Sequence, residues 1–379
     1  MYPVFEPEQF AGQVMDESWE GLELKERIRK ISTVLGECLP PRYEDALGIL
    51  YAIDSYCTGF PYLFFPDFVE VHGQALEHWE LSMQALERFT SKSSAEFAVR
   101  SFLLRDPKRM MEQMTKWAGD SNEHVRRLAS EGCRPRLPWG QALPVFKRDP
   151  EPVLAVLELL KADTSLYVRK SVANNLNDIA KDHPQLVIQT AARWQGNNPH
   201  TDWIIRHGCR TLIRKAVPEA LRLFGYSDTS ADEPLVTAAR LSAAPSALQI
   251  GDISRLEYEL RVREGEAVRI RVEYGIEFVK ASGQTSRKLF LLTDKTVPGG
   301  QRLEGTRKHS WLISPPASII QARIALSWWL MEWKPLIRLC CWNNDDAILA
   351  CKKLRSPIAG HRSFYDCFLF PGVMFSLVC

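Results

Sequence analysis

Three segments in the middle of the chain repeat one pattern, and that pattern limits the fold more than any other feature. Asp120 is followed by Val125, Arg126, Arg127 and Ala129. Asp163 is followed by Val168, Arg169, Lys170, Val172 and Ala173, and Asp202 by Ile205, Arg206, His207, Cys209 and Leu212. A weaker copy sits at Val99-Arg100. Val125 to Val168 is 43 residues and Val168 to Ile205 is 37, each about one two-helix unit. In HEAT-type repeats the apolar members of such a helix pack between neighbouring units, while the basic members face the groove of the stack. The pattern predicts an all-α HEAT-like α-solenoid over residues 1–225.

Charge sharpens this reading. The net charge is +2, but residues 1–90 carry −10 and residues 91–225 carry +8. A basic middle stretch suits a phosphate-binding surface, although an ordinary solvated face has the same composition. No basic-then-apolar leader opens the chain and no uncharged apolar run reaches membrane-spanning length, so a soluble, cytoplasmic protein is expected. Four of the nine cysteines are scattered through the first 300 residues, never as C-x-x-C, and read as reduced thiols. Glycine-rich phosphate loops, H-E-x-x-H and G-x-S-x-G are absent, so no cofactor or metal is expected. His72 and His78, six residues apart, read as surface residues.

What remains is a series of carboxylates. Glu96, Glu131 and Asp178 lie 35 and 47 residues apart, close to one repeat each, a spacing that can align one acid per repeat along one groove. On its helix Asp178 falls on the same side as Asn174 and Lys181, opposite the apolar stripe of Val168, Val172, Leu176 and Ile179. Ordinary ion pairs one turn apart, Glu96–Arg100 and Arg127–Glu131, account for two of the acids without any function. The segment Glu131–Gly140 is unusual for a repeat connection. Pro135 and Pro138 stop the helix, and Arg134, Arg136 and Trp139 follow one another in the loop. Arginine on phosphate with tryptophan stacking is a nucleic-acid contact; a tryptophan filling a gap between repeats is the bland alternative.

Residues 226–248 turn Ser/Ala/Asp/Pro-rich and read as a linker. The period then changes to two: Leu256–Val262 and Val268–Val272 alternate, further short runs follow, and turns such as Pro298-Gly299-Gly300 separate them. A small all-β immunoglobulin-like sandwich is expected from about 249 to 311.

Long stretches of this chain resemble the AlkC-type DNA alkylation repair glycosylases, a HEAT-like repeat family: Asn122–Trp139, Tyr167–Pro184 and Thr201–His207. The resemblance runs over about residues 20–310, and the β-region up to Ser310 is similar to the immunoglobulin-like domain of one branch of that family. It implies a bacterial base-excision repair enzyme that binds double-stranded DNA as a monomer. Such an enzyme hydrolyses the glycosidic bond of 3-methyladenine and 3-methylcytosine without flipping the base into a pocket. Matched by motif, Glu96, Glu131, Trp139 and Asp178 fall at the family's active-site positions. Arg126, Arg127, Arg134, Arg136, Arg169, Lys170, Arg206 and Arg210 are candidate phosphate contacts, about half of them expected to touch DNA. No nucleophilic lysine is required, so a monofunctional enzyme is expected. A non-catalytic DNA-binding solenoid and a protein-binding scaffold share the same basic groove.

The tail, 312–379, fits neither domain. It holds Ser327–Trp333, with three tryptophans, and the five remaining cysteines. Translated one frame away, Pro316–Trp333 can read as a turn, an alternating strand and an Asp-Gly hairpin. In that frame Trp328-Trp329 forces a valine and Met331-Glu332 a glycine, whatever the codons. A frameshift between residues 311 and 316 is therefore expected to have replaced the last strands of the sandwich. Sequencing the encoding DNA checks it: a one-base change there should restore the alternating strand, and related genes that keep the present frame through the tail would contradict it.

Overall fold

The computed structural model describes residues 5–226, 235–245, 247–248, 251–280 and 284–311, with backbone strand segments at 319–323, 328–329 and 348–350. The chain divides into two compact units, the first Met1–Glu233 and the second beginning at Pro234. Each is described by itself.

The first unit is helical. The helices that build the site are, in chain order, α1 (Leu24–Cys38), α2 (Val99–Arg105), α3 (Pro107–Ala118), α4 (Glu123–Gly132), α5 (Glu151–Leu160), α6 (Leu166–Ile179), α7 (Pro184–Trp194) and α8 (Pro199–Gly208). Proline at the first position of α3, α7 and α8 costs no hydrogen bond and presets the backbone. The cap residues Asn122, Ser165 and Asn198 accept the backbone N–H of His124, Tyr167 and His200 at 2.9, 3.2 and 2.8 Å. α6 packs on α4 at one side and on α8 at the other, so the repeats stack as the spacing predicts. Their seam is the expected stripe: Val125, Leu128 and Ala129, then Val168, Val172, Leu176 and Ile179, then Ile204, Ile205 and Leu212, all buried. α8 comes so close to α6 that a Cβ on Gly208 would lie 2.9 Å from the Cβ of Leu176.

The repeated aspartate and the first basic residue of each copy prove to be structural. Asp120 and Asp163 each accept the backbone N–H of the cap two residues later, at 2.6 and 2.8 Å. Arg126 folds back on the carbonyls of Asp120 and Ser121 and reaches Asp163 of the next repeat at 2.7 Å; Arg169 makes the same return to the carbonyls of Asp163 and Thr164. Arg206 donates to the Tyr226 hydroxyl at 2.9 Å. These three arginines fasten turns and repeats together, a role beside the phosphate contact expected of them. The third copy departs from the pattern, since Asp202 lies inside α8 and accepts from Gly196.

The second unit is a two-sheet β-structure. Its strands are β1 (Val236–Ala244), β2 (Ala247–Leu248), β3 (Ile253–Val262), β4 (Val268–Lys280), β5 (Thr285–Val297), β6 (Arg302–Ser310), β7 (Ile319–Arg323), β8 (Trp328–Trp329) and β9 (Ile348–Ala350). One sheet has the order β1-β3-β6; the other has β2-β9-β7-β4-β5, with β8 also on β4. Leu241, Leu256, Leu260 and Leu303 of the first sheet share a core with Ile270, Val272, Tyr274 and Val297 of the second. The sandwich begins earlier than expected, because Val236–Ala244 is strand and not linker. Its small residues hide the alternation, and only Leu235, Val236 and Leu241 mark the buried side. Trp311 is buried, with its indole N–H on Ser254 Oγ at 3.0 Å. Beyond it, the expected frame change and most of the tail lie outside the described residues.

Gly208→Ala should destabilise the helical unit by about 1–3 kcal/mol, the usual cost of overpacking a close contact. Urea unfolding measures this, and an unchanged midpoint would contradict the close approach.

Candidate active site

The acids are placed by the ends of two consecutive repeat helices. Glu131 is the penultimate residue of α4 and Asp178 the penultimate residue of α6. Both are buried, at 6% and 2% exposure. A carboxylate in the last helical turn opposes the helix dipole and costs a few tenths to about 1 kcal/mol, and burial adds to this, so each needs a cation.

Arg134 supplies that cation to both. Its Nη1 donates to Glu131 Oε1 at 2.6 Å and its Nε to Asp178 Oδ2 at 2.9 Å. The chain of charges continues outwards. Lys181 donates to the other oxygen of Asp178 at 3.0 Å, while Arg127 lies 3.7 Å from Glu131 and donates to Glu96 Oε2 at 2.5 Å. Glu96, Arg127, Glu131, Arg134, Asp178 and Lys181 thus alternate in sign across three repeats. Burial alone would lower the pKa of Arg127 and Arg134; Glu96 and Glu131 for the one, and Glu131 and Asp178 for the other, more than reverse it and hold both guanidiniums above their usual range. Ser171 of α6 donates to the remaining oxygen of Glu131 at 2.6 Å and so fixes its orientation.

A cleft of about 500 Å³ opens on this array, lined by Glu96, Glu131 and Arg134 together with Phe60, Trp139 and Tyr167. Trp139 stands 73% exposed on the loop after α4, with φ at +62°, a left-handed conformation that a bulky residue rarely adopts. Arg127 lies over the Tyr167 ring, 4.7 Å from its centroid.

The structure therefore brings Glu96, Glu131 and Trp139 to one cleft and joins Asp178 to it through Arg134. Arg134, expected as a phosphate contact, lies buried between the two acids and pairs with both. The expected pair of Glu96 with Arg100 does not form, because Arg100 is buried at 2% exposure and donates to backbone carbonyls instead. The other candidate cations lie outside the array: Arg136 pairs with Asp182 at 2.6 Å, Arg210 donates to Asn174 at 3.0 Å, and Lys170 is exposed. Sequence reasoning missed Ser171, Tyr167, Phe60 and Arg100, and only Arg100, as the basic member of the weak first copy, carried a signal. Cys133 and Cys209 are buried, which pushes each thiol up to about 12 and excludes them as nucleophiles. Among the described residues no group of three or more His, Cys, Asp or Glu could hold a metal ion, and no helix is long and apolar enough to cross a membrane.

Residues 74–212 match the family model described as DNA alkylation repair enzyme, and residues 237–313 match the C-terminal Ig-like domain of the uncharacterised protein YhaZ. The chain is 46% identical over 310 residues to YhaZ of Bacillus subtilis (strain 168), covering 82% of this chain and 85% of that protein. The chain belongs to the DNA alkylation repair enzyme family. A solved member, Pseudomonas fluorescens alkylpurine DNA glycosylase AlkC bound to DNA containing an abasic site analog, superposes with a TM-score of 0.79 at 34% identity, over 93% of this chain and 94% of its own. The stretch that matches the DNA alkylation repair model contains Glu96, Glu131, Trp139 and Asp178.

Arg134→Gln should destabilise the helical unit by about 3–5 kcal/mol, since it leaves two buried carboxylates without their shared cation. Thermal and urea unfolding against the parent measure this; a loss below about 1 kcal/mol would mean that the acids do not depend on it.

Proposed function

We propose that this chain is a monofunctional DNA glycosylase for cationic N3-methylated bases, 3-methyladenine and 3-methylcytosine, acting without rotating the base into a pocket. The observation that carries the proposal is a row of ionisable acids in a cleft beside an exposed tryptophan, in a chain 34% identical to an alkylpurine DNA glycosylase.

Methylation at N3 gives the base a positive charge, so the electron pair of the C1′–N bond can leave with the base without prior protonation. What needs help is the sugar, which becomes cationic as the bond breaks. Glu131 would face it, and water would then attack C1′ and lose its proton to Glu131 or solvent. Arg134 is divided between Glu131 and Asp178, and Arg127 between Glu131 and Glu96, so these cations attenuate the Glu131 charge at the sugar. An unpaired unit negative charge about 4 Å from the sugar would be worth about 4 kcal/mol at an effective dielectric near 20, roughly 1000-fold in rate, an upper limit that the two arginines reduce. Trp139 would pack on the deoxyribose or the flanking backbone, and Glu96, held by Arg127 and Ser94, would position water. Lys170, Arg136 and Arg210, which lie outside the acid array, are favoured for phosphate over Arg126, Arg127, Arg134, Arg169 and Arg206, whose bonds fasten the turns, the repeats or the acids.

Release of free base from methylated duplex DNA tests the reading. The parent should release it, and Glu131→Gln and Asp178→Asn should each lose about 100-fold or more while still binding DNA. No release by the parent, or full activity in both variants, would sink it. Lys92 also lines the cleft. Monofunctional action predicts that Lys92→Ala excises normally and that borohydride traps no covalent adduct with DNA; a trapped adduct lost in that variant would mean lyase chemistry.

A further inference from the structure

We propose that Arg100 is a positioning residue for excision, holding the loop that presents Trp139, with Lys25 of α1 holding the same loop at its apex. This rests on the glycosylase reading above. Arg100 lies on α2, one repeat before the loop, and is buried at 2% exposure. Its Nη1 donates to the carbonyls of Gly132 and Arg134, both at 3.0 Å, and its Nε to that of Gln141. One guanidinium thus ties the end of α4, where Glu131 sits, to the far side of the loop beyond Trp139. Burial lowers Arg100 to about 10, which leaves it charged at neutral pH.

The loop is built closely around this side chain. A Cβ on Gly140 would lie 3.2 Å from Arg100 and 3.0 Å from Leu137. Arg100 Nη2 is buried and has no hydrogen-bond partner among the described residues. A buried cation that takes carbonyls at the end of α4 and on both sides of the loop, in place of the carboxylate four residues earlier, is spent on the loop's shape. Lys25 Nζ donates to the carbonyl of Trp139 itself at 3.0 Å and lies 4.8 Å from the Phe97 ring. Together the two cations hold Trp139 in its left-handed backbone conformation, which an unrestrained loop would leave. The backbone that carries its indole is therefore set at the rim of the cleft that Glu131 lines before DNA arrives, and a displacement of about 1 Å there is enough to cost roughly 100-fold.

The experiment is a pair of double-mutant cycles on base release, Arg100→Lys with Trp139→Ala and Lys25→Met with Trp139→Ala, read alongside amide hydrogen exchange over residues 133–143. The expected result is slower excision in each single variant, roughly 100-fold for Arg100→Lys and several-fold for Lys25→Met, with the melting temperature of Lys25→Met unchanged. Neither change should cost more once Trp139 is alanine, and exchange in the loop should rise in both. Equal losses with and without Trp139, or parental excision and exchange in both variants, would overturn the proposal. If the parent releases no base, the glycosylase reading fails instead, and unchanged exchange in both variants would still overturn the positioning role.

Discussion

The site depends on Arg134 lying between Glu131 and Asp178. Two repeats each deliver an acid from the last turn of a helix into the interior, where a carboxylate without a partner is costly to bury. One planar guanidinium, engaging both at hydrogen-bond distance, makes the pair tolerable and fixes the two helix ends relative to each other. Arg127 is shared in the same way between Glu96 and Glu131, and Lys181 pairs with Asp178 alone, so three cations match three acids and the array is neutral as a whole. The cleft still presents a carboxylate oriented by Ser171. An unpaired carboxylate could not be buried there without a large cost.

The loop after α4 stands in the same relation to the fold. Prolines end the helix, the chain turns through a strained tryptophan, and Arg100 and Lys25 keep it there from two other helices. Strain of this kind persists only where neighbours over-determine it. Here the neighbours are Arg100 of α2 and Lys25 of α1. The acid-rich first ninety residues contribute through Lys25 and Phe60, which reach the Trp139 loop and its cleft.

Much of this was legible in the sequence. Val125, Val168 and Ile205 gave the repeat because burial imposes a helical period, and the change to period two at Leu256 gave the β-unit. The acids could be picked out because their spacing follows the repeat. The roles of the arginines could not be, since a basic residue after a buried aliphatic one serves equally for a solvent contact and for a staple to the next turn. Only geometry separates them: Arg126 and Arg169 turn back on carbonyls, and Arg134 turns inwards. β1 escaped notice because alanine and serine carry too little contrast between its faces.

The central claim is that the cleft favours positive charge at the sugar, and binding of transition-state mimics measures this most directly. Duplexes carrying either a cationic nitrogen ring or a neutral tetrahydrofuran in place of the lesion's deoxyribose differ only in that charge. The account predicts that the cationic duplex binds about 100-fold more tightly or better, with the preference lost in Glu131→Gln. Equal affinity for the two duplexes, or a preference that survives that substitution, would contradict it.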